Sequence, residues 1–126
     1  MTGQHHKTDF DEWIVTTFKT SGPFTMLFIL VEIGDTTVVP LRTAYLHVMG
    51  DEIRWSEMLD LFNTSGVDWS GAVFYRAGRE GLVRDDEANA RMKALARKLF
   101  EDRSLIRDGE FFNRDGLRLA LTEIRH

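Results

Sequence analysis

Phe24-Thr25-Met26-Leu27-Phe28-Ile29-Leu30-Val31-Glu32-Ile33 carries apolar side chains at odd and even positions alike. Aromatic and branched residues dominate it, and Gly22-Pro23 and Gly34-Asp35 bound it. That pattern predicts a central strand buried on both sides. The apolar run from Phe24 to Val31 is about half of the ~20 residues that a membrane helix needs, so no membrane partner is expected.

Upstream, Phe10, Trp13, Ile14 and Phe18 recur at helical spacing, with Thr8 or Asp9 as cap and Ser21-Gly22-Pro23 as stop. A helix over 9–19 follows. Downstream, residues 34–50 allow two readings. Gly34-Asp35 can turn a hairpin, so that Thr36 to Pro40 pairs back on the first strand. Alternatively Leu41, Ala44, Tyr45 and Val48 form a helical stripe, with Pro40 in the first turn and Gly50 past the end. The expectation is a short strand or loop followed by a short helix.

Trp55, Met58, Leu59 and Phe62 mark a further helix closed by Asn63-Thr64-Ser65-Gly66, and Val67 to Ala77 reads as a second buried strand. A long amphipathic helix is predicted over 85–103, with Ala88, Met92, Leu95, Ala96 and Leu99 inward. In the tail, Asp108-Gly109 and Asn113-Arg114-Asp115-Gly116 offer turns, and Leu117, Leu119 and Leu121 alternate with more polar or smaller neighbours.

These elements add up to a single α+β domain over 9–126, behind a disordered tail at 1–8. The predicted architecture is a two-layer sandwich: a mixed or antiparallel sheet, helices mainly on one face and a C-terminal β-hairpin. The two long strands are joined through helix, which allows them to lie parallel by a right-handed crossover.

The chain has 126 residues and no cysteine. That length buries a core without covalent staples. The cysteine count excludes a disulfide framework, a thiolate metal site and a cysteine nucleophile. With no apolar leader at Met1 to Lys7, a cytoplasmic protein is expected. Net charge is −4; residues 1–75 hold 4 basic and 10 acidic side chains, residues 76–126 hold 12 and 10. This is not the basic face of a nucleic-acid binder. Were residues 40–50 and 52–63 a helix-turn-helix, Glu52, Glu57 and Asp60 of the second helix would outweigh its Arg54 and be repelled by phosphates.

Two surfaces are candidates for function. The first is the loop Arg76-Ala77-Gly78-Arg79-Glu80-Gly81-Leu82-Val83-Arg84, where Arg76, Gly78, Arg79, Gly81 and Arg84 suit a phosphate or carboxylate ligand. Against that, Asp85-Asp86-Glu87 already serves the following helix start, and the glycines are not at P-loop spacing. The second is Phe111-Phe112 with Arg114 and Arg118. Adjacent strand residues face opposite sides, so one ring is expected to point away from the helix layer, a contact surface if that face is open and core if a loop or the N-terminal helix covers it.

No metal site and no cofactor are expected. His5, His6 and His126 lie at the termini and His47 stands alone in its segment. Glu32 sits in a buried run and requires a cation such as Arg42 or Arg118. The functional expectation is a non-catalytic interaction module with a protein partner or a second copy of the chain, the latter joined through the C-terminal hairpin. The alternative is an anionic small-molecule site at 76–84, with or without enzymatic activity.

Overall fold

The computed structural model describes residues 8–35, 37–78 and 81–119. Helix α1 (Asp9–Ser21) starts in a reciprocal cap: Asp11 N donates to Thr8 Oγ1 at 3.0 Å, and Thr8 N donates to Asp11 Oδ2 at 3.2 Å. It stops where Gly22 takes φ 74° and donates its N–H to Phe18 O. Strand β1 (Phe24–Ile33) follows, then β2 (Val38–Val48), α2 (Trp55–Asn63), β3 (Gly71–Arg76), α3 (Asp85–Glu101), a 3₁₀ turn (Arg103–Asp108) and β4 (Glu110–Asn113). The sheet order is β2-β1-β3-β4, with every neighbouring pair antiparallel.

The segment expected to become a short helix is instead strand β2, paired with β1 from Val38↔Ile33 to Val48↔Phe24. Branched and aromatic residues fit a pleated surface, and β1 offers a long row of amides with no other partner on that side. Pro40 fits because β2 is an edge strand. A register shift between Leu30 and Val31 absorbs one extra residue, Leu41, as a bulge. β1 and β3 also run antiparallel, not parallel through a crossover, because the β1–β2 hairpin reverses the chain before α2.

The apolar faces of β1 are both used. Met26, Phe28 and Leu30 pack with Phe10 and Ile14 of α1 and with Trp55, Met58 and Phe62 of α2. Ile29 and Val31 pack with Leu99 of α3. Helix therefore covers the sheet on both sides, a correction to the two-layer expectation that a fully apolar β1 demands. The α1/α2 side is a cluster of tilted and edge-on rings, such as Phe10–Phe74 at 5.0 Å and Trp55–Phe62 at 5.7 Å between centroids. Each such pair adds about 0.5–1.5 kcal/mol beyond its burial.

Asp11 is the polar joint of that layer. Only 6% exposed, its second oxygen accepts from Trp55 N at 2.7 Å, so the same carboxylate caps α1 and starts α2. Trp55 Nε1 in turn donates to Arg114 O at 2.7 Å, fastening the turn after β4. There Gly116 adopts φ 76°, and a Cβ would come within 2.8 Å of the Trp55 ring.

No C-terminal hairpin of two strands forms among the described residues. β4 is followed by a tight return with an isolated bridge, Phe112↔Arg118. Glu32, expected to be buried and paired, is exposed at the end of β1 and needs no cation.

Candidate functional site

Three residues of the 76–84 loop, Ala77, Gly81 and Val83, are anchored on Thr25. Thr25 N donates to Gly81 O, Ala77 N donates to Thr25 O, and Val83 N donates to Thr25 Oγ1 at 3.0 Å. Gly81 has φ 105°, and a Cβ there would lie 2.6 Å from Pro23 O, so this glycine permits a close backbone crossing. Of the expected anion ligands, Arg76 lies over the Phe24 ring at 5.5 Å and Arg84 pairs with Asp86 at 2.8 Å. The two arginines thus have separate intramolecular partners. Gly78 is half-buried, and Arg79 lies outside the described residues.

The expected Phe111/Phe112 surface is corrected by burial. Phe111 is 2% exposed in the α3-side core, and Phe112 is 0% exposed in the α1/α2-side core. Alternation does send them to opposite faces, but both faces are covered. Arg114 lies over Trp69 at 4.7 Å, and Arg118 lies over Phe112 at 5.2 Å while pairing with Glu110. The outer edge of β4 is also engaged: Asn113 N donates to Leu117 O and Leu119 N to Phe111 O.

His47, solitary in sequence, is a node in space. Its Nδ1 is 2.8 Å from Thr25 Oγ1, and its Nε2 is 2.6 Å from Asp85 Oδ1. In the neutral imidazole, Thr25 O–H donates to Nδ1 and Nε2–H donates to the carboxylate. The His47 hydrogen bond is the main reason that Asp85 is held below the usual carboxylate range. The phenol of Tyr45 is pushed up by desolvation and then by the nearby Asp85 charge. Hydroxyl, imidazole and carboxylate stand in the order of a nucleophile relay. Thr25 is 0% exposed, however, and Val83 N–H already occupies its oxygen. The network reads as a fastener that holds the start of α3 against β1 and β2.

The open side of β2 is the feature that sequence reading missed. Thr25 and Val31 direct backbone groups toward the β3 side, as their bonds with Gly81, Ala77 and Ser70 show. By alternation, Phe24, Met26, Phe28 and Leu30 face β2 and bond with Val48, Leu46, Ala44 and Arg42. Thr43, Tyr45 and His47 therefore turn their N–H and C=O groups outward, where no described residue pairs with them. Pro40 opposes Val31, so the N–H that it lacks would also have pointed outward.

Beside this edge lies a shallow groove of about 180 Å³, lined chiefly by Phe28, Leu30, Arg42, Ala44, Leu61 and Phe62. Leu61 is 49% exposed. Small-molecule sites usually enclose roughly 300–1,000 Å³, whereas a dry cavity of about 150 Å³ accepts a benzene ring. The groove therefore suits one large apolar side chain. A second cleft of about 230 Å³ lies along α1 between Asp9, Glu12, Trp13, Thr16 and Arg118. There Asp9 Oδ2 already accepts from Arg118 N at 2.7 Å.

Among the described residues no group of three or more His, Cys, Asp or Glu is arranged to hold a metal ion. None of the described helices is long and apolar enough to cross a membrane. Compared with protein-family models, curated proteins and solved structures, the chain finds no match.

Proposed function

We propose that this chain is a non-catalytic interaction module that takes up an extended segment of a protein partner as an added strand along β2. The observation that carries the reading is the row of outward backbone groups at Thr43, Tyr45 and His47 beside a groove sized for one apolar side chain. Main-chain hydrogen bonds supply affinity in such complexes, and the groove supplies selectivity. The bulge and Pro40 blunt the first part of β2 against indiscriminate pairing and leave the part from Thr43 onward receptive. This keeps the protein-contact class expected from sequence but moves the contact from the C-terminal hairpin to the opposite edge.

An anionic small molecule at 76–84 has less support, since Arg76 and Arg84 are separately engaged and Gly81 serves a chain crossing.

The test uses an eight-residue peptide of alternating threonine and valine with one central leucine, followed by NMR of the isotope-labelled protein. Binding is expected to shift the amides of Thr43, Tyr45 and His47. Thr43→Pro deletes one outward N–H without breaking a bond to β1, so it is expected to leave the fold intact and weaken binding at least tenfold. Leu61→Asp, which charges the groove wall, is expected to do the same. Unchanged affinity in both folded variants would refute the reading.

A further inference from the structure

We infer that the segment received by β2 is acidic as well as apolar, with a side chain for the groove followed two residues later by Asp or Glu. The inference rests on the strand-addition reading and specifies its partner. Among the described residues, Arg42 is the only charged one lining the groove. Among the described residues no carboxylate pairs with it. Except for Arg97, which is exposed on α3, the other described arginines with placed side chains are engaged within the chain. Arg84, Arg91 and Arg118 pair with acids, Arg76 and Arg114 lie over rings, and Arg54 donates to the carbonyls of Asp51 and Ile53.

Alternation sets the spacing. Arg42 and Ala44 both line the groove and lie on the α2 side of β2, whereas the backbone of Thr43 between them points to the open edge. An incoming strand pairs its backbone with Thr43 and Tyr45. It places the side chain opposite Ala44 over the groove, and the side chain two positions away beside Arg42. In the antiparallel sense that the whole sheet uses, the chain direction makes that second position the later one. The recognition element is thus apolar-x-acidic. A guanidinium beside a low-dielectric wall forms charge-assisted hydrogen bonds with such a carboxylate.

The experiment compares three peptides of the alternating threonine–valine frame. Each carries leucine at the centre and Glu, Gln or Lys two residues later. The Glu peptide is expected to bind about fivefold tighter than the Gln peptide and more than tenfold tighter than the Lys peptide. In Arg42→Glu the order is expected to reverse, a result that loss of folding cannot mimic. Equal affinities for all three peptides, with the Thr43, Tyr45 and His47 amides still shifting, would overturn the acidic preference and leave strand addition standing. If no peptide moves those amides, both readings fall together.

Discussion

Asp11 shows how much one side chain organises. Its two oxygens serve Thr8 N and Trp55 N, and the carboxylate is nearly sealed. Asp11→Ala removes a cap from α1 and strands a buried N–H at the start of α2. The expected loss is about 2 kcal/mol or more in urea unfolding. Gly81→Ala forces a side chain into a φ of 105° and against Pro23 O, and is expected to cost about 1–3 kcal/mol by the same measurement. Asp85 gives a pH signature. Its carboxyl is lowered in the folded protein chiefly by the hydrogen bond from His47, so its contribution is present above the ordinary value of 3.8. That contribution fades as pH falls through the lowered value. His47→Ala is expected to flatten this acid-limb dependence of the melting temperature; an unchanged slope would show that the His47–Asp85 bond does not form in solution. Neither Asp11 nor His47 was legible as a partner, because Asp11 and Trp55 lie 44 residues apart and His47 and Asp85 lie 38 apart. Only the fold brings them together.

At the scale of elements, strong local signals agreed with tertiary packing in most places. The Gly22-Pro23 and Gly34-Asp35 boundaries bracket β1 as expected, and helical spacing located α1 and α3. β2 was misread because Leu41, Ala44, Tyr45 and Val48 also satisfy a helical stripe, and Pro40 suits a helix start as well as an edge strand. What tipped the balance was the unpaired side of β1, a long-range fact that no window of sequence contains. Missing β2 also hid the candidate site. The outward phase of Thr43, Tyr45 and His47 depends on the pairing of β1 with both neighbours. The expected arginine loop, by contrast, was visible as composition, but Ala77, Gly81 and Val83 use backbone groups to close the chain over Thr25.

For the whole molecule, the distribution of covered and open surface is what the proposed strand addition rests on. α1 and α2 cover one face of the sheet, α3 covers the other, and the return at Leu117 and Leu119 engages the outer edge of β4. Among the described residues, Thr43, Tyr45 and His47 of β2 turn backbone groups outward without a partner, and Arg42 is the one charged residue lining the neighbouring groove. An exposed edge is a hazard unless blunted or used. Here one end is blunted by a bulge and a proline, and the other is the end proposed to receive the partner strand.

The measurement that tests this most directly is amide hydrogen exchange along β2, in dilute protein with and without the Leu-x-Glu peptide. Without peptide, the amides of Arg42, Ala44 and Leu46 are predicted to be protected and those of Thr43, Tyr45 and His47 to exchange rapidly. Saturating peptide is predicted to protect the second set as well. Uniform protection along β2 in the peptide-free protein, or three amides that still exchange freely at saturation, would contradict an open edge that receives a strand.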